Sequence, residues 1–104
     1  MTASDHLQRR LFYTAGELVN FGANDDPGAA SLKDSNLYQE HVYQSKGPSL
    51  VYSGLREDIK KNGVQTPVRL NDRKGKPTIM DGHHRTAIAH DLNPDSFVPV
   101  SYGY

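Results

Sequence analysis

The stretch Ile79-Met80-Asp81-Gly82-His83-His84-Arg85-Thr86-Ala87-Ile88-Ala89 decides the reading of this chain, because it passes from strand to helix through a single glycine. Thr78, Ile79 and Met80 suit an extended segment. From His83 to Leu92 the pattern is that of a helix carrying Ala87, Ile88 and Leu92 inward, and Asn93-Pro94 stops it. Working outward, Val64 to Leu70 reads as the preceding strand and Asn71-Asp72-Arg73-Lys74-Gly75-Lys76 as the hairpin turn. Phe97 to Tyr102 reads as a closing strand, in which Pro99 predicts an edge position or a bulge. Strands alternating with helices predict an α/β (α+β) fold, a small mixed sheet with packed helices.

Upstream, Val51, Leu55 and Ile59 recur at four-residue steps and predict a helix from Ser49 to Asn62. Lys60 and Lys61 suit its negative end, and Gly63 is the expected residue just beyond it. A second helix fits Leu37 to Lys46, with Leu37, Tyr38, His41 and Val42 on one face and Asn36 as its cap. Nearer the N-terminus, Arg9 to Tyr13 reads as a short strand. Thr14 and Glu17 then form a capping box, with Tyr13 and Leu18 placed as a hydrophobic staple across it. Between Gly22 and Ser35 the residues are mostly Asn, Asp, Pro, Gly, Ala and Ser with a single Leu, which predicts a mobile loop adding little to the core. A chain of 104 residues has room for one domain, spanning residues 1–104, and no internal repeat is visible.

Twelve Lys and Arg balance twelve Asp and Glu, so no global field draws the protein to nucleic acid or to an anionic membrane, and anion binding has to be local. With no Cys there is no thiolate nucleophile, disulfide or thiolate metal site. The N-terminal Met1-Thr2-Ala3-Ser4-Asp5-His6 lacks the basic and then apolar regions of a signal peptide, and no apolar run approaches a membrane span. A soluble cytoplasmic protein is expected.

The first turn of the helix at His83 has unpaired N–H groups and carries roughly half a positive charge, where acidic residues normally belong. Here Gly82 is followed by His83, His84 and Arg85. A bound anion, most simply a phosphate, would resolve that conflict, with backbone N–H groups, the helix dipole and a guanidinium fork directed at one group. Gly82 would let the ligand approach and would tolerate an unusual φ. A plainer reading stands beside it: Asp81 caps the helix, Arg85 pairs with a carboxylate, and the histidines lie on the surface.

The order Leu55-Arg56-Glu57-Asp58-Ile59-Lys60-Lys61-Asn62-Gly63-Val64-Gln65-Thr66-Pro67-Val68, then Ile79 to Ala89, then Val98-Pro99-Val100 resembles the ParB and sulfiredoxin superfamily. The resemblance covers about half the chain and divides it into a family-like core, 49–104, and a divergent part, 1–48. It implies a ParB/sulfiredoxin-like fold in which the Gly-x-x-Arg turn, here Gly82, His83, His84 and Arg85, binds the phosphates of a nucleotide such as ATP or CTP, with Thr86 and Gln65 beside it. Sulfiredoxins have Gly-Cys-His-Arg at the turn, so His83 stands in the place of their reactive cysteine and sulfinic-acid chemistry is excluded. Partition ParB proteins have Gly-Glu-Arg-Arg and add a helix-turn-helix domain for which this chain has no room. Free-serine kinases are larger and bring an acidic catalytic residue without a counterpart here. What remains resembles the small stand-alone ParB-like protein common in bacteriophages and often labelled a nuclease domain, which would act in the host cytoplasm.

Two rival functions stay open. One is a phage protein that binds a host protein through the divergent first half, using the fold as a scaffold. The other is a metal-dependent DNA nuclease or DNA-binding protein. Nuclease chemistry would need clustered carboxylates or a general base. Glu57 and Asp58 are adjacent and face different ways, while Asp81 and His84 are the titratable candidates at the turn. The five histidines lack the three- or four-residue spacing of helix-borne metal ligands. DNA contacts would draw on Arg56, Lys60, Lys61, Arg69, Arg73, Lys74 and Lys76, and on stacking tyrosines such as Tyr102 and Tyr104.

Overall fold

The computed structural model describes residues 9–73 and 75–103; Lys74, Tyr104 and the N-terminal stretch read for a signal peptide lie outside the described residues. In chain order the elements are β1 (Phe12–Thr14), α1 (Ala15–Leu18), β2 (Gly22–Ala23), α2 (Asn36–Ser45), α3 (Leu50–Asn62), β3 (Val68–Asn71), β4 (Thr78–Asp81), α4 (His83–Leu92) and β5 (Phe97–Tyr102). The strands form a five-stranded mixed sheet in the order β1-β5-β3-β4-β2, and four helices pack on it in an α+β fold. β5 lies parallel to β3 and antiparallel to β1, while β4 lies antiparallel to β3 and parallel to β2.

Alternation along the strands sends one face of the sheet to the core. Val68, Leu70, Val98 and Val100 are buried, while Arg69, Phe97 and Ser101 on the opposite face are exposed. α4 crosses the buried side and packs against α1, α2, α3 and β3. Its consecutive residues Thr86, Ala87, Ile88 and Ala89 are all buried, which for a helix means enclosure all round rather than along one stripe. The small Ala87 and Ala89 let neighbours approach closely. Leu18, Leu32, Leu70, Ile79 and Ile88 are fully buried, each contributing about 1.5–3 kcal/mol of hydrophobic stabilisation.

Local signals place the element ends. Thr14 and Glu17 form the expected capping box at α1, and Gly63 ends α3 at φ 74°, its N–H donating to the Ile59 carbonyl. α2 is capped by Ser35 rather than Asn36: the Ser35 Oγ accepts from the Leu37 N–H, and Asn36 already belongs to the helix. α3 turns Tyr52, Leu55, Arg56 and Ile59 toward its neighbours, so Val51 is 75% exposed instead of lining the core. The packed face follows the mixed three- and four-residue spacing 52, 55, 56, 59, from which Val51 turns away although it continues the four-residue apolar series. Pairing in β3 begins at Val68; Val64 is buried ahead of it, and residues 65–67 form an exposed link.

Pro99 does not mark an edge, since β5 is flanked by β1 and β3. Val100 donates its N–H to Leu11 on the β1 side, so the Pro99 nitrogen faces the β3 side, one position before the β3 ladder starts at Val68 opposite Val100. No ladder bond is lost there.

The segment 22–35 also differs from its reading as an apolar-poor loop outside the core. Gly22 and Ala23 pair with Thr78 and Ile79, and a Cβ on Gly22 would come within 3.2 Å of the Thr78 Oγ1. Leu32 returns its N–H to the Phe21 carbonyl at 2.9 Å, Lys33 bonds to Val19 at 2.8 Å, and the Ser35 hydroxyl donates to the Asp26 carboxylate at 2.6 Å. These bonds bring the segment's single leucine to complete burial. Replacing it, Leu32→Ala, is expected to destabilise the protein by about 2–5 kcal/mol in urea unfolding; a change below about 0.5 kcal/mol would place the segment outside the cooperative core.

Candidate functional site

The turn from β4 into α4 depends on Gly82. It is the N-cap of α4 in a left-handed conformation, φ 100° and ψ 22°, which side chains with a Cβ rarely adopt. A Cβ there would also lie 3.0 Å from the Arg85 Nη2, 3.0 Å from the Val68 Cγ2 and 3.3 Å from the Val68 Cα. The glycine therefore allows both the turn and its close seating on β3.

With glycine at the cap, α4 has no side-chain cap, unlike α1, α2 and α3, which are capped by Thr14, Ser35 and Ser49. No acidic residue occupies its first turn. Asp81, the alternative cap, belongs to the end of β4, is exposed, and lies 3.7 Å from the Arg85 Nη2. Among the described residues, the N–H groups of His83, His84 and Arg85 have no partner outside the helix. The Arg85 side chain folds back over the turn, where its Nη2 donates to the Pro67 carbonyl at 3.1 Å while its Nε is buried without a partner. That contact brings the link carrying Gln65 to the same corner; Gln65 itself is exposed.

The other expected site residues face inward. Thr86 is fully buried, and its hydroxyl donates to the Gly82 carbonyl at 2.9 Å, bracing the turn from within. His83 is 4% exposed: its Nδ1 is 3.3 Å from the Asp25 carboxylate, and its Nε2 accepts from the Asp25 N–H at 3.4 Å. The His84 ring stacks on Tyr52 of α3, with centroids 4.1 Å apart and planes at 9°. On its other side is His41 of α2, at 3.6 Å and 39°. His41 is buried, and its Nε2 has no hydrogen-bond partner.

Burial pushes the protonation of all three imidazoles down from the ordinary value near 6.5. For His41, burial and then repulsion from His84 and His83 lower the pKa to about 4. For His84, burial acts first and His83 and Arg85 add to it, against Asp25 and Glu40; for His83, burial outweighs the opposing pull of Asp25 and Asp81. Near neutral pH the histidines are therefore uncharged, and the positive charge at the start of α4 is that of Arg85 and the helix itself.

Sequence reasoning did not single out Tyr52, Asp25 or the partnership of His41 with His84. A histidine amid Leu37, Tyr38 and Val42 on an apolar face was the available signal for His41; Asp25 carried none. Of the residues considered for DNA contact, Arg56 is engaged elsewhere. Its Nη2 pairs with Asp91 at 2.8 Å and its Nη1 donates to the Ser45 Oγ at 3.3 Å, joining α2, α3 and α4. Lys60, Lys61, Arg69, Arg73 and Lys76 are exposed. Among the described residues no group of three or more His, Asp or Glu is arranged to hold a metal ion, and no helix is long and apolar enough to cross a membrane. Comparison with known proteins gives no match to any family model, curated protein or solved structure.

Two measurements check this geometry. Gly82→Ala is expected to lower unfolding stability by about 1–3 kcal/mol, because the substitution strains φ and crowds Val68; urea unfolding measures it. Acid is expected to destabilise the fold in two windows. A histidine whose folded pKa is depressed contributes stability that is fully present above about 6.5 and lost as the pH falls toward 4. For His41 the loss is on the order of 3 kcal/mol, and His41→Phe should flatten the urea midpoint over that range. Glu17, held down to about 2 by Arg10 and by the Thr14 N–H, adds a second loss between about 4.5 and 2.

Proposed function

We propose that this chain is a ParB-like domain that binds inorganic phosphate or the phosphates of a nucleotide such as ATP or CTP at the start of α4. The observation carrying this reading is the uncapped first turn: Gly82 in a left-handed conformation, three N–H groups without a partner outside the helix, and the Arg85 guanidinium held beside Gly82 by the Pro67 carbonyl. Such an end favours an anion through the helix dipole, and a guanidinium adds a permanent charge with directional donors. The resemblance of 55–102 to the superfamily supports the same turn independently of the geometry. Binding falls to the backbone of residues 83–85 and to Arg85, while His83, His84 and Thr86 hold the turn in place through their packed side chains.

The scaffold reading has one observation of its own, the exposure of Leu11, Phe12 and Tyr43 in the divergent first half. Anion binding separates the two readings. Calorimetry with ATP, CTP and inorganic phosphate is expected to register binding of at least one, weakened roughly tenfold or more by Arg85→Ala and less by Arg85→Lys, which keeps the charge. No heat with any of the three, or equal affinity for Arg85→Ala, would overturn the phosphate reading and leave the scaffold reading standing.

A further inference from the structure

Three imidazoles lie around the start of α4, and two of them belong to the residues whose backbone N–H groups form the turn. His83 and His84 are the first two residues of α4; His84 lies against His41 with centroids 3.6 Å apart, and both His41 and His83 are buried. We propose that occupation of this turn by an oxyanion takes up a proton on the His41, His83 and His84 cluster, so that binding strengthens as the pH falls. The inference rests on the phosphate reading of the turn and adds its regulation.

The surroundings of the cluster set the direction. His83 faces Asp25 from the segment after β2 and Asp81 from β4. His84 faces His41 and Glu40 from α2, Tyr52 from α3, Asp25, and its neighbours His83 and Arg85. His41 faces His84, His83 and Asp25. In the free protein, burial and mutual repulsion among the imidazoles outweigh these carboxylates, and the cluster stays neutral.

An oxyanion on the N–H groups of His83 and His84 alters two of these terms together. It adds a negative charge one side chain away from both rings, and it offsets Arg85, which opposes protonation of His84. Both changes favour the imidazolium form. The His41 pKa is held to about 4 and its buried Nε2 has no acceptor for a proton it would carry, so the proton taken up near pH 6 falls to His83 or His84, with His41 acting on them through its ring contact and its charge repulsion. Repulsion between imidazolium ions in a shared site limits the uptake to roughly one proton per anion, drawn from solvent. By linkage, a ligand that raises a pKa binds more tightly to the protonated protein.

Sulfate is the suitable probe, because it remains a dianion throughout the window and takes up no proton itself. Calorimetry in buffers of different ionisation enthalpy, with chloride at matched ionic strength as control, is expected to show uptake approaching one proton per sulfate near pH 6. Affinity should rise roughly tenfold between about pH 7.5 and 5.5. Imidazole NMR titrations should place the His83 or His84 pKa higher in sulfate than in chloride, and His84→Phe, which keeps a ring against Tyr52, should reduce the uptake. Sulfate binding with no proton uptake, or with unmoved histidine pKa values, would overturn the proposal while leaving the phosphate reading intact. Absence of binding by sulfate and phosphate at every pH would overturn both.

Discussion

A helix enclosed on every side has to place its polar groups at its ends, and α4 is such a helix. Its middle is filled by Thr86, Ala87, Ile88 and Ala89 between the other helices and β3. Toward its C-terminus, Asp91 receives Arg56 from α3 and Lys46 from just beyond α2, and His90 Nδ1 shares a 2.7 Å hydrogen bond with the Tyr38 hydroxyl. At its start the side chains of His83, His84 and Thr86 are also taken into packing or internal hydrogen bonds. The backbone N–H groups of the first turn remain, with the Arg85 guanidinium beside them giving one donor to the Pro67 carbonyl. Enclosure thus concentrates the unspent polarity of the helix at one corner of the sheet.

Gly82 gives that corner its shape. Because a Cβ would collide with Val68 and Arg85, the β4 to α4 turn sits directly on the backbone of β3. The bond from Arg85 to Pro67 then draws the link before β3 into the same corner. Sheet order has a further consequence: β3 lies between β5 and β4, so the site stands near the middle of the sheet rather than at either edge. Its electrostatics follow from the same packing. The two histidines that precede Arg85 at the helix start are kept neutral by burial, which leaves one permanent cation and makes the imidazoles able to respond to a charge placed beside them.

Much of the frame was legible because it rests on local signals. The capping box of Thr14 and Glu17, the stop at Gly63, and the change from strand to helix across Gly82 depend on residues within one turn of each other, as did the need for glycine at position 82. Beyond the shift of one residue at the α2 cap and the outward turn of Val51, the misreadings involve partners elsewhere in the chain. Pro99 fits an interior strand because of where β3 begins, Gly22 and Ala23 become a strand because Thr78 and Ile79 lie alongside, and Leu32 is core because its backbone returns to Phe21.

By itself, then, the sequence determined the alternation of strands and helices and the glycine turn at the head of α4, since each follows from backbone preferences and short-range hydrogen bonds. Tertiary structure alone decided what the residues of that turn face. A histidine titrates near 6.5 in water and stays neutral to lower pH in a core, and only the packing of α2 and α3 against α4 places His41 and Tyr52 around His84 and leaves Arg85 as the cation at the turn.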